Sequence, residues 1–285
     1  MWRCRGRGIP LDRPIILGVL NVTPDSFSDG GRYFAVESAV DHGARLLEEG
    51  ADVVDIGGES TRPQGAQEVD AAEERRRVLP VLSSLRARFP QAVFSVDTVK
   101  SDIAAAALDA GADIINDVSA FRLDSSMARV CAEAGAGVIL MHSRGGVADM
   151  ATYAHARYSA DPVADVLAEL QPRVEDAERA GVARDAIAID PGLGFGKRTE
   201  HSVAMLVGLP RLVALGYPVA VGVSRKRFIG ELSASPDAID RLEGTIGANV
   251  MALALGARIF RVHDVRAARR ALDVAWAIVR SREGS

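Results

Sequence analysis

The sequence predicts an α/β protein, a single (β/α)8 TIM barrel, from two observations: eight short apolar runs that each end in polar side chains, and a helical pattern after each run. Strands apolar on both faces belong to a parallel sheet covered by helices. The runs begin at Ile15, Val53, Val93, Ile114, Val138, Ile187, Val219 and Ile259. Helices are expected over 38–49, 73–89, 101–110, 125–134, 162–180, 201–215, 241–255 and 265–280, several stopped by a glycine such as Gly50, Gly111, Gly135 or Gly181. Eight β-then-α units in 285 residues match the barrel in count and length. A doubly wound sheet is the structural alternative. The whole chain, 1–285, reads as one domain with its core between about 15 and 280, because no linker interrupts the alternation.

Composition narrows the function classes. With 48% hydrophobic and 5% aromatic residues the chain has a large aliphatic core to bury. A formal charge of −4, with basic residues interleaved among acids, gives no nucleic-acid footprint. The opening Trp2 to Arg7 lacks the apolar core of a signal peptide, and the run from Ile15 to Leu20 is too short to span a membrane, so a cytoplasmic protein is expected. The two cysteines, Cys4 and Cys131, have no metal or disulfide spacing, and Cys131 reads as a small buried residue in an Ala-rich helix. The least patterned stretch, 143–160, reads as a long loop.

Chemistry gathers at the strand ends. Asn21, Asp97, Asn116, Asp190, Lys226, Arg261 and His263 all close an apolar run. In a barrel that is the open mouth, and a polar group buried there without a partner costs about 1 to 3 kcal/mol. Singly, each has an even chance of being a cap or a satisfied core group; seven together make a site. Asp190, Asn116 and Lys226 offer acceptor, mixed and donor groups for the edge of a flat heterocycle. Arg62, Arg261 and His263 suit an anion, with Arg261 and His263 on one face of their strand. Two anion donors near an Asn suggest a phosphorylated substrate with a divalent cation that draws most of its ligands from phosphate oxygens.

Seven ordered motifs carry a resemblance. The segments Asn21-Val22-Thr23-Pro24-Asp25-Ser26-Phe27-Ser28-Asp29-Gly30-Gly31, Asp55-Ile56-Gly57-Gly58-Glu59-Ser60-Thr61-Arg62-Pro63, Ser95-Val96-Asp97-Thr98, Ile115-Asn116-Asp117-Val118, Asp190-Pro191-Gly192-Leu193-Gly194-Phe195-Gly196-Lys197, Ser224-Arg225-Lys226 and Arg261-Val262-His263-Asp264 resemble the dihydropteroate synthases. This family joins 6-hydroxymethyl-7,8-dihydropterin diphosphate to p-aminobenzoate in folate biosynthesis, and sulfonamides target it. The resemblance implies that Asp97, Asn116, Asp190 and Lys226 hold the pterin. It implies that Asn21 is the protein ligand of Mg²⁺, and that Thr61, Arg62, Arg261 and His263 surround the diphosphate, with Arg261 also covering the pterin face. Phe27, Pro63, Phe195 and Ser224 would border the p-aminobenzoate subsite. Asp97, Lys226, Arg62 and His263 would carry the reaction, and the protein would be a homodimer through barrel helices. The apolar last helix, with Trp276, suits that contact and suits packing on the barrel equally well.

Two places depart from the family pattern. Gln64 separates Pro63 from Gly65, lengthening the second loop by one residue, and Ser143-Arg144-Gly145-Gly146 follows no family pattern. Gly192, Gly194 and Gly196 with Lys197 imitate a phosphate loop but fail its spacing and lack the final Ser or Thr. His142 reads as a packing or supporting residue, and His42, His155 and His201 as solvated or helix-face groups without metal spacing. The acidic-basic run 73–77 reads as an exposed helix face. The alternatives to a synthase are a pterin-dependent methyltransferase, which has no diphosphate to hold, and a catalytically silent pterin-binding paralogue.

Overall fold

A computed structural model describes residues 1–22, 32–59 and 69–283. Its main sheet holds eight parallel strands: β3 (Ile15–Asn21), β4 (Val53–Gly57), β5 (Val93–Asp97), β6 (Ile114–Asp117), β7 (Gly137–Met141), β8 (Ile187–Asp190), β9 (Ala220–Val221) and β10 (Ile259–Val262). Their order is β8-β7-β6-β5-β4-β3-β10-β9, and a parallel bridge from Ile189 to Val219 joins the two ends, so the sheet closes as a barrel. Each expected run is a strand, and the expected fold is the observed one.

The outer ring consists of α1 (Arg32–Glu48), α2 (Ala71–Arg88), α3 (Ser101–Asp109), α4 (Met127–Ala134), α5 (Pro162–Arg179), α6 (Thr199–Val207), α7 (Leu209–Val213), α8 (Arg227–Ser233), α9 (Leu242–Ala254) and α10 (Val265–Glu283). Local chemistry sets their ends. Asp70 caps α2 by accepting from the Glu73 amide at 2.7 Å, Asp161 caps α5 by accepting from Ala164 at 3.0 Å, and α4 stops at Gly135 in the left-handed region.

Three features differ from the expectation. The stretch 201–215 is two helices, because Pro210 donates no backbone hydrogen bond and the chain turns at Gly208, where a Cβ would lie 2.5 Å from Val163. The short α8 follows Lys226, where no helix was expected. The opening residues form a hairpin of β1 (Trp2–Cys4) and β2 (Arg7–Ile9), turning through Arg5 and Gly6 at positive φ.

That hairpin positions the site by closing the opposite end of the barrel. Trp2, Cys4 and Ile9 pack with Ile15, Leu17, Val53, Ile114, Ile139, Ala188, Ala220 and Ile259 in one buried cluster. These strand residues point inward, while their neighbours Ile16, Val54, Ile115, Ile187, Val221 and Phe260 point out to the helices. Trp2 is fully buried and its indole donates to the Ala186 carbonyl at 2.9 Å. Apolar side chains fill the floor of the barrel, which leaves the C-terminal strand ends for polar chemistry.

Candidate active site

Side-chain alternation derives the site from the floor. Two residues beyond the inward-facing Val53, Ile114, Ala188 and Ile259 stand Asp55, Asn116, Asp190 and Arg261, on the same inner face but at the open mouth. Arg261 crosses the mouth: Nε donates to Asp55 Oδ2 at 2.6 Å, and a terminal nitrogen donates to Asp97 Oδ2 at 2.8 Å. Asn116 Nδ2 donates to the same Asp55 oxygen at 3.2 Å. Asp190 accepts from the Gly192 amide at 2.6 Å. Lys226 donates to the Leu193 carbonyl, with Nζ 4.3 Å from the centre of the Phe195 ring.

These groups line a cavity that opens to solvent, with about 470 Å³ of space within and just above it. Asp97, Asn116, Asp190, Lys226, Arg261 and His263 supply its polar wall, while Phe195, Met141 and Val118 supply apolar surface, and Ser224 completes the rim. Eight residues singled out from sequence are therefore brought together around one cavity. Asn21 ends β3 beside it; a Cβ placed at Gly57 would have Asn21 Oδ1 at 3.8 Å and Asp97 Oδ2 at 3.9 Å. Phe27, Thr61, Arg62, Pro63 and Gln64 lie outside the described residues.

Burial dominates the electrostatics. It lifts the Asp97 carboxyl to about 7, outweighing the pull of Arg261, with Asp55 adding repulsion. Asp190 is likewise raised by burial, against the opposing influence of Lys226 and the Gly192 amide. Burial lowers the Lys226 ammonium to about 8, against the attraction of Asp190. For Arg261 burial lowers the value, but Asp55 and Asp97 more than offset it and hold the guanidinium above its ordinary range. The cavity thus keeps a fixed cation at Arg261, while burial shifts Asp97, Asp190 and Lys226 toward their neutral forms.

On the rim, Ser224 Oγ accepts from the His263 amide at 3.2 Å and stands 3.0 Å from His263 Nδ1. The Ser224 hydroxyl thus ties both the backbone and the ring of His263 to the rim and leaves Nε2 as the ring nitrogen that Ser224 does not engage.

The sequence reading assigned no role to two groups beside this ring. Asp55 is fully buried, anchors Arg261 and Asn116, and among the described residues has no partner for its second oxygen. Its signal was available: it follows an inward-facing Val by two residues. Lys197, read as a failed phosphate loop, is buried with Nζ 2.9 Å from His142 Nδ1. His142 is the supporting residue expected, with Nε2 3.2 Å from Glu169. No spacing links partners 55 positions apart.

The model of the pterin-binding enzyme family matches residues 17–263. The dihydropteroate synthase of Mycobacterium leprae (strain TN) is 48% identical over 268 residues, covering 92% of this chain and 93% of its own. The chain belongs to the dihydropteroate synthase family. Solved synthases of Xanthomonas albilineans share its architecture: one with 4-aminobenzoic acid superposes with a TM-score of 0.89 at 47% identity, covering 96% of both chains. Another, in complex with 7,8-dihydropteroate, gives 0.86 at 45% identity, covering 96% of this chain and 97% of the other. The chain spans about half the length of the bifunctional plant proteins that it also matches.

Proposed function

We infer that the protein is a dihydropteroate synthase, a transferase that joins 6-hydroxymethyl-7,8-dihydropterin diphosphate to p-aminobenzoate, yielding 7,8-dihydropteroate and diphosphate. The observation that carries this reading is the cavity wall, where a buried carboxylate at Asp190 and the amino group of Lys226 line one cavity. A dihydropterin presents an adjacent ring N–H and amino group, which donate to a carboxylate, and a carbonyl, which accepts from an ammonium. Asn116 and Asp97 offer further partners to ring nitrogens. Arg261 is committed to two carboxylates through Nε and a terminal nitrogen, so its planar fork serves the pterin face more than the diphosphate.

The bond-making step uses no protein nucleophile. The amine nitrogen of p-aminobenzoate attacks the exocyclic carbon of the pterin; the C–O bond to diphosphate breaks with its electron pair on the leaving oxygen, and the nitrogen gives its surplus proton to solvent. Ser224, the hydroxyl on the rim, is bound to His263, and both cysteines are buried away from the cavity with thiols that burial raises above their usual value. His263 Nε2, with Arg62 and Thr61 by family resemblance, faces the diphosphate. Phe195 and Ser224, with Phe27 and Pro63 by resemblance, border p-aminobenzoate.

A cation suits the same end. Asn21 offers one neutral carbonyl oxygen, and among the described residues no group of three His, Cys, Asp or Glu side chains stands ready to hold a metal, so the donor set fits a Mg²⁺ carried largely by diphosphate oxygens and water. When bound beside Asn21, such a cation would supply charge neutralisation to the departing diphosphate. For the assembly, Met251 on α9 with Val274 and Ile278 on α10 are more than half exposed, which supports a homodimer through these helices, whereas Trp276 donates to the Asp12 carbonyl and packs on the barrel. A cytoplasmic location agrees with the bacterial synthase relatives; no helix among the described residues is long and apolar enough to cross a membrane.

The assay is direct. Purified protein, pterin diphosphate, p-aminobenzoate and Mg²⁺ should yield dihydropteroate and an equal amount of diphosphate. Tight pterin binding with no product would instead identify a silent paralogue.

A further inference from the structure

Behind the cavity a chain of polar side chains, buried at Lys197 and His142 and open to solvent at Glu169, stands outside the reaction. Lys197 is 1% exposed, and its Nζ donates to His142 Nδ1 at 2.9 Å and to the Phe195 carbonyl at 3.1 Å. His142, 3% exposed, meets the Glu169 carboxylate through Nε2 at 3.2 Å, and Arg144 closes the far side of Glu169 at 3.0 and 3.1 Å. The carboxylate fixes the imidazole: Glu169 accepts from Nε2–H, so in the neutral ring Nδ1 carries no proton and accepts from the Lys197 amino group. Burial, with Lys197 adding to it, holds His142 at about 4. Burial likewise pushes Lys197 down to about 7, against the attraction of Asp190, so its place in the interior is held by its hydrogen bonds to His142 and to the Phe195 carbonyl.

The segment from Pro191 to Gly196 is what this chain grips. Gly192 (φ +68°) presses so closely on His142 that a Cβ would fall 1.9 Å from its carbonyl oxygen, and Gly194 (φ +76°) leaves only 2.9 Å between a Cβ and Lys226 Cδ. The His142 amide donates to the Asp190 carbonyl at 2.9 Å, tying the same two strand ends together. On its other face the segment touches Lys226 twice, through the Leu193 carbonyl and the Phe195 ring.

We propose that Lys197 is a positioning residue: gripped by His142, it fixes the 191–196 segment so that Leu193 and Phe195 set Lys226 against the pterin. The proposal rests on the reading of the cavity as a pterin site. It makes two side chains outside the cavity wall determinants of ligand affinity. A purely structural ion pair would affect stability and leave the bound geometry alone.

Lys197→Met removes the donors at similar length. Calorimetry with bare 6-hydroxymethylpterin should show at least tenfold weaker binding. Amide hydrogen exchange in the ligand-free protein should be at least tenfold faster at Leu193 and Phe195, and unchanged in β5 and β6. Affinity within twofold of wild type, or exchange that accelerates equally throughout the barrel, would overturn the proposal. His142 supplies a second pair should Lys197→Met not fold: His142→Asn keeps an acceptor near the Nδ1 position and should bind within threefold of wild type, while His142→Leu should lose tenfold or more. Equal affinities for these two variants would also overturn it. If wild-type protein failed to bind the pterin, the proposed function would fall, and the exchange rates would still decide the positioning role.

Discussion

Arg261 reaches across the barrel mouth to Asp55, Nε to Oδ2 at 2.6 Å, passing over β3 to join strands that are not neighbours. Asp55 has no exposed surface, and its other oxygen has no partner among the described residues. Such a carboxylate is held by its cation, and the cation in turn is aimed by the carboxylate.

Asp55→Asn should therefore destabilise the protein by about 3 kcal/mol, because removing one partner leaves a largely desolvated guanidinium with Asp97 alone. Urea unfolding of the variant measures this. A loss below about 1 kcal/mol would mean that Arg261 is held by other contacts.

Lys226 combines a compact point charge with a carbonyl contact and a ring contact. Lys226→Arg keeps the charge but replaces the single donor by a wide planar fork. Turnover should fall at least about tenfold, the order of one charged hydrogen bond, while thermal unfolding stays near wild type. Near-normal turnover would remove Lys226 from the pterin edge.

The His142 contribution to stability should be lost in a defined acid window. Burial lowers His142 from 6.5 to about 4 in the folded protein, so below 6.5 the unfolded chain takes up the proton first. That contribution falls as pH drops from about 6.5 to 4, by up to about 3 kcal/mol, and is flat below that, while Asp97, raised by burial to about 7, contributes with the opposite sign over much of the same range. Glu169, held down at about 2 by its bond to His142, acts in the same direction as His142 at lower pH. Denaturant midpoints measured across pH 4 to 7.5 in wild type and in His142→Asn should differ in slope by the His142 contribution; identical slopes would place no acid response at His142.

The barrel was legible because each buried strand is an unbroken apolar run and most helices have caps that sequence announces. The hairpin that seals its floor was not: strands of three residues have no period, and Trp2 reveals its place only through contacts with strands spread from Ile15 to Ile259. Pro210 did signal the break between α6 and α7, but a continuous apolar pattern concealed it. At the mouth, Asp97, Asn116, Asp190, Lys226, Arg261 and His263 stood out as polar endings to apolar strands. Asp55 did not, because it lies inside its run, and Lys197 did not, because its meaning depends on His142 and on the absence of water around it.

The two halves of the site should separate by charge. His263→Ala, or removal of Mg²⁺, should weaken binding of the pterin diphosphate by about tenfold or more and slow turnover, with little effect on the bare 6-hydroxymethylpterin. Equal weakening of both ligands would place the anion elsewhere.

Asp190 tests the central claim, that the pterin lies in the cavity at the barrel mouth. Its carboxylate is 7% exposed and opens onto that space. Calorimetric titration of bare 6-hydroxymethylpterin into wild-type protein and folded Asp190→Ala should show a loss of roughly 1.5 to 3 kcal/mol, about 10- to 150-fold in affinity. Unchanged affinity would contradict the account, because the pterin would then be bound without the carboxylate around which the cavity is built.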